Sequence, residues 1–202
     1  MKARTGVHCT FITDVEATVP ALNAWLSAAD REQSQQYRQP QRRLQYLAGR
    51  GLVRWLLHRY WQMAAEDSII TRQENGAPLL LVQGQQWQCS ISHSHNHAIV
   101  AVSPAAAPIG VDVERIAPRK QLVRLLRTPF MAGVDSEHLV SFFQRWTLAE
   151  AVTKAEQGLL LEVLKRSSET YLPHACFQQH SDYLLCCYSP GESCTIQQFS
   201  PP

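Results

Sequence analysis

Apolar and polar positions along the chain change period several times, and these changes predict its elements. Leu44, Leu47, Leu52, Trp55, Leu56 and Tyr60 recur at helical spacing, so a helix is expected from Arg42 to Met63. Arg42, Arg43, Arg50, Arg54 and Arg59 decorate it. A more polar helix is expected over Leu22–Arg38, ending before Pro40. Glu74-Asn75-Gly76-Ala77-Pro78 is a turn signal and leads into a strand at Leu79–Val82. Cys89–His93 and Ala98–Val102 form a hairpin around the polar tip Ser94-His95-Asn96-His97. After the linker-like Pro104–Pro108, Ile109–Ile116 reads as a strand, and Gln121–Arg127 and Glu137–Gln157 read as helices. Tyr171–Phe199 alternates apolar and polar residues between Pro and Gly breaks, as β-strands do. The class is α+β, and a break near Pro104 gives halves at residues 1–104 and 105–202.

Composition narrows the picture. The chain has 202 residues, 45% of them hydrophobic, which suffices for a packed core and argues against disorder. A formal charge of +2 is too mild to point to nucleic acid. Met1–Asp14 lacks the continuous apolar core of a secretory signal, and no apolar run approaches the roughly 20 residues of a membrane helix. A cytoplasmic protein, without nucleic-acid or membrane partners, is therefore expected. The six cysteines form no Cys-x-x-Cys pair and no zinc-type spacing, so buried, reduced thiols are expected.

Three constellations carry candidate chemistry. In Gly110-Val111-Asp112-Val113-Glu114, strand alternation sets Asp112 and Glu114 on one face and Val111 and Val113 toward the core. Two neighbouring carboxylates repel, and a hard divalent cation relieves the repulsion; an ordinary solvated strand edge has the same pattern. In Trp146–Ala155, Glu150 and Lys154 lie four apart on one helical face. They could add a third carboxylate and a phosphate-binding cation, or form a plain surface pair contributing about 0.3–0.5 kcal/mol. In Ser90–His97, hydroxyls and histidine could hold a phosphate. His93, His95 and His97 on a continuous strand could instead bind zinc, but the Ser-His-Asn run reads as a turn that breaks that face.

These pieces, in this order, resemble the phosphopantetheinyl transferase family of the surfactin-synthetase-activating type. The resemblance rests on Asn75-Gly76-Ala77-Pro78, Ile91-Ser92-His93-Ser94, Gly110–Glu114 and Trp146–Lys154, and spans about Arg42 to Leu161. It implies two similar α+β halves packed with pseudo-twofold symmetry, coenzyme A in the cleft between them, and a monomeric enzyme. That enzyme would move the phosphopantetheine arm of coenzyme A onto a serine of an acyl or peptidyl carrier protein, with magnesium. Asp112, Glu114 and Glu150 would hold the metal; Ser92, His93 and Lys154 would contact coenzyme A phosphates; Arg50 lies in the basic helix used near the nucleotide.

The chain departs from the family at four places. Lysines of the family fall at Ala77 and Ala149, an arginine falls at Gln45, and the proposed general base falls near Val134. Arg42, Arg43 and Arg50 are the cations available to substitute, and Asp135 or Glu137 the carboxylates available as base. A homologue that binds carrier proteins with little catalysis is the alternative. Carriers are acidic, so the basic segments Arg115–Lys120 and Arg124–Arg127 are expected on the docking surface.

Overall fold

The computed structural model describes residues 6–119, 122–135 and 138–201. The chain opens with strand β1 (Val7–Ile12), helix α1 (Val15–Leu22) and helix α2 (Ala28–Gln35). The single helix expected over Leu22–Arg38 is thus interrupted. Ser27 caps α2 with its hydroxyl on the Asp30 N–H, and the Asp30 carboxylate returns to the Ser27 N–H. This reciprocal cap fixes a new helix start inside the segment that read as one continuous polar helix. Asp30 is also tied to buried Arg54 of α3 (Pro40–Trp61), which anchors α2 against the long helix. Pro40 sits in the first turn of α3 rather than past the end of a preceding helix, a position where its missing N–H costs nothing.

Next come β2 (Ser68–Arg72), β3 (Pro78–Val82), β4 (Gln85–Ser94), β5 (His97–Ser103) and β6 (Gly110–Arg115). The helices α4 (Leu122–Leu125), α5 (Leu139–Glu156) and α6 (Leu160–Leu164) follow, then β7 (Ala175–His180), β8 (Tyr183–Tyr188) and β9 (Cys194–Gln198). The expected helix starts at Gln121 and Glu137 lie outside the described residues. Sequence patterning did not predict β1, β2 or α6.

A six-stranded sheet has the order β2-β3-β4-β5-β1-β9, and a three-stranded sheet the order β6-β8-β7. The last strand, β9, pairs in parallel with β1, so residues beyond the Pro104 break complete the first sheet. Helix α3 packs Ala48, Leu52, Leu56 and Leu57 against Val100 and Val102 of β5. Helix α5 packs Leu148, Ala151 and Val152 against Leu184 and Cys186 of β8. A third core, including Phe11, Ile99, Val111 and Leu185, joins the two sheets.

Two glycines set the spacing around the later site. A Cβ on Gly110 would lie 1.8 Å from the Ala151 carbonyl oxygen, so only glycine lets β6 approach α5 this closely. A Cβ on Gly49 would meet Ile91 at 2.9 Å, where α3 crosses β4.

Candidate functional site at the junction of the two sheets

Strand β6 lies beside β4, and side chains bridge the two. The Ser90 hydroxyl accepts from the Val111 N–H at 3.0 Å, and the Ser92 hydroxyl donates to Asp112 Oδ1 at 2.8 Å. From α5, Lys154 Nζ reaches the same point. It donates to Asp112 Oδ1 at 2.7 Å, to Ser92 Oγ at 2.8 Å and to the Val111 carbonyl at 3.1 Å. Ser92, Asp112 and Lys154, far apart in sequence, therefore form one hydrogen-bonded knot. Asp112 is buried, and its second oxygen, Oδ2, has no hydrogen-bond partner among the described residues. A buried carboxylate oxygen left bare costs about 1–3 kcal/mol or more, so it is a ready ligand position.

Glu114 sits two residues along β6. It accepts from Trp146 Nε1 at 3.4 Å and pairs with Arg119 at 2.8 Å, while the Arg119 guanidinium lies over the Phe143 and Trp146 rings. The tryptophan of the Trp146–Lys154 motif thus helps orient a carboxylate. Arg119 belongs to the basic segment Arg115–Lys120 expected on the docking surface; its pairing with Glu114 and its aromatic platform were not visible before folding. Burial raises the Glu150 pKa to about 7, and the negative charges of Asp112 and Glu114 add to the rise. Lys154 and Arg119 oppose it. The three carboxylates thus share one electrostatic field, although their oxygens do not form a cluster within 4.8 Å, and cations already neutralise two of them.

A basic hollow of about 360 Å³ adjoins this knot, lined by Arg42, Arg50, Arg72, His93, Tyr37 and Tyr46 among others. A second of about 310 Å³ is lined by Asn75–Pro78, Ser90 and Lys154 among others, and the two share Gly76, Pro78 and Ile91. The Asn75 side chain donates to Gln157 at 3.3 Å, so the turn between the hollows leans on the end of α5. Arg50 is buried, stacks over Tyr46 and has one guanidinium nitrogen, Nη1, without a hydrogen-bond partner among the described residues. Arg42 approaches His93 Nε2 at 3.4 Å; burial, and then this charge, hold the His93 pKa below its ordinary value. Arg43 reaches the Tyr37 carbonyl, whereas Arg42 lines the hollow. Tyr37, Tyr46 and Arg72 were not singled out from sequence, because they come from three separate segments.

The departures from the family acquire structural meaning. Gln45 is buried, donates to the His95 carbonyl at 2.9 Å and supports the hairpin tip. Ala149 is fully buried in the core beneath α5, so that position faces packing rather than the hollow. Ala77 lines the second hollow. Asp135 lies on an exposed turn, engaged with His138 at 2.6 Å; its neighbour Glu137 lies outside the described residues. His93 is the last residue but one of β4, His95 occupies a left-handed turn with φ of 51°, and His97 begins β5 and stacks on Tyr183. The hairpin turn therefore removes the shared strand face on which a three-histidine zinc site depended.

A bare, buried carboxylate oxygen in the field of two further carboxylates, backed by a lysine that lines a hollow, suits a protein that handles phosphate esters with a hard cation. The comparisons point the same way. A family model described as 4'-phosphopantetheinyl transferase, N-terminal, matches residues 15–105. The 4'-phosphopantetheinyl transferase HetI of Nostoc sp. (strain PCC 7120) is 28% identical over 153 residues, covering 69% of this chain and 63% of that protein. The 4'-phosphopantetheinyl transferase psf-1 of Bacillus pumilus is 27% identical over 117 residues, covering 54% and 48%. Family model and relatives carry the same description, and the resemblance read from the sequence is borne out. The matches span between about half and just under two thirds of those relatives' own lengths.

Proposed function

We propose that this protein transfers the 4'-phosphopantetheine arm of coenzyme A to a serine of an acyl or peptidyl carrier protein, with magnesium. The observation that carries the reading is the bare, buried Asp112 Oδ2, in the field of Glu150 and knotted to Lys154, which itself lines the second hollow. That donor set fits a hard divalent cation, since all candidate ligands are carboxylate oxygens. Asp112, Glu114 and Glu150 would hold it, and when bound it supplies charge neutralisation for a pyrophosphate.

The chain's own residues do the rest. Arg42, Arg50 and His93 line the hollow that would take the nucleotide phosphates. Lys154, on the adjoining hollow, offers a point charge to a phosphoryl oxygen, with Ser92 as its hydrogen-bond neighbour. The carrier serine oxygen bonds to the β-phosphorus, the bond from that phosphorus to the bridging oxygen breaks, and 3',5'-adenosine bisphosphate leaves with the electron pair. Phosphoryl transfer of this kind depends on positioning and charge stabilisation more than on covalent help from the protein. Asp135, on the exposed turn ahead of α5, is proposed as acceptor of the serine proton. The pairing of one long helix with each sheet is the support for two halves related by approximate twofold symmetry, with the hollows at their junction.

Intact-mass measurement of an apo carrier incubated with the protein, coenzyme A and magnesium tests the reading. A gain of one phosphopantetheine arm is expected. Carrier binding without any mass gain would favour instead a homologue that escorts carriers.

A further inference from the structure

Cys9 of β1, Cys187 of β8 and Cys194 of β9 place their sulfurs within 4.8 Å of one another. Among the described residues this is the only group of three potential metal ligands so close. All three are free thiols; Cys9 and Cys187 are buried and Cys194 is partly exposed. Cys176 faces Cys187 across the β7–β8 ladder. Cys176 and Cys194 both line an open hollow of about 400 Å³, so the cluster has a route from solvent. The surrounding core is apolar and includes Val7, Ile109, Leu185 and Ile196.

We propose that Cys9, Cys187 and Cys194 form a three-thiolate site for a thiophilic d10 cation, zinc(II) or copper(I), which ties β9 to β1 and β8. A metal–sulfur bond of about 2.3 Å sets sulfurs about 3.8–4.0 Å apart in tetrahedral or trigonal coordination, so small side-chain shifts close the site. Soft thiolates select such ions over magnesium. The site is therefore chemically separate from the carboxylates across the sheet. Bound as three thiolates, the cysteines would give up their thiol protons to solvent, and the charge of the cation decides what remains on the cluster. Zinc leaves a net charge of −1 on the cluster and copper(I) leaves −2. The smaller buried charge favours zinc, whose open fourth position would face the hollow.

The test uses the full reduced chain, freed of metal and kept anaerobic. Zinc and copper(I) are titrated in separate arms, each against a competing chelator. Cobalt(II) serves as a spectroscopic probe of the zinc arm. One equivalent bound, a thiolate-to-cobalt charge-transfer band and a raised melting temperature are expected. Cys194→Ser, at the exposed end, should lose at least about 10–100-fold in affinity, the range that even outer partners of metal ligands cost. Cys176→Ser should lose far less. Failure of both ions to bind stoichiometrically, or undiminished affinity in Cys194→Ser, would overturn the site.

Discussion

Asp112 and Cys187 stand one register step apart on neighbouring strands, yet their side chains leave opposite faces of the same three-stranded sheet. Asp112 shares its face with Cys186 and helix α5, where Lys154, Glu150 and Arg119 supply charge. Cys187 shares its face with Val111, Val113 and Leu185 and packs on β1. The first face gathers hard oxygen donors beneath α5, beside the hollow that Lys154 lines; the second is buried among apolar groups, meets an open hollow at Cys194 and gathers sulfur. A pleat of period two is enough to separate two kinds of ligand chemistry by one residue. Cys186 shows the division from the other side: it is a buried thiol on the carboxylate face, its pKa raised by burial and next by Asp112, and it joins no sulfur cluster.

The harshest way to break the comparison is to separate the carboxylate face from its helix. Gly110→Ala would place a methyl group against the Ala151 carbonyl oxygen, and backbone cannot yield as a side-chain tip can. We expect a loss of about 3 kcal/mol or more in urea unfolding, the upper end of overpacking costs, with the thiol face unable to compensate. Lys154→Met is next. It leaves a buried Asp112 carboxylate without its cation, which costs about 3–5 kcal/mol when pairs are fully buried. Lys154 is 30% exposed, so the lower end is expected, with magnesium recovering part of the loss and transfer activity remaining low.

A pH series sharpens the comparison. The folded Glu150 pKa of about 7 exceeds the ordinary 4.5, so the native state binds more protons between those values. The contribution of this group to stability is complete below about pH 4.5 and is lost as pH rises through 7. Between those limits the loss is on the order of 3 kcal/mol for the metal-free chain. Glu150→Gln should flatten that slope in thermal or urea unfolding from pH 4.5 to 8, while thiol reactivity on the far face stays unchanged. An unaltered slope would mean that Glu150 is better solvated than its surroundings indicate.

The smallest effect comes from restoring one of the family's lysines. Ala77→Lys adds a cation to the second hollow and should tighten coenzyme A binding by about 1 kcal/mol in calorimetry, below the about 1.5–3 kcal/mol of a well-formed charged hydrogen bond. Ala149→Lys should behave in the opposite way. That position is fully buried in the α5 core, so the substitution should lower the melting temperature without improving affinity. Alignment treats positions 77 and 149 as equal losses, but only one of them faces a ligand.

Local order in the chain determined much of the carboxylate face. Alternation in Gly110–Glu114 set Asp112 and Glu114 together, and helical spacing in Trp146–Lys154 set Glu150 and Lys154 on one side, because both periods are properties of the backbone itself. The turn at Asn75-Gly76 and the β4–β5 hairpin were legible for the same reason. The capping box at Ser27–Asp30, present in the sequence as Ser-x-x-Asp, was passed over because Leu22–Arg38 read as one continuous polar helix. Everything that depends on distant segments had to await folding. Patterning could not show that Lys154 would spend its charge on Asp112, that Arg119 would settle over Trp146, or that Ala149 would be sealed in a core. Nor could spacing reveal the sulfur cluster, because Cys9 joins Cys187 and Cys194 only when β9 returns from the end of the chain to pair with β1. Neighbours along a strand or helix are fixed by covalent geometry, whereas neighbours across sheets are chosen by the packing of the whole molecule.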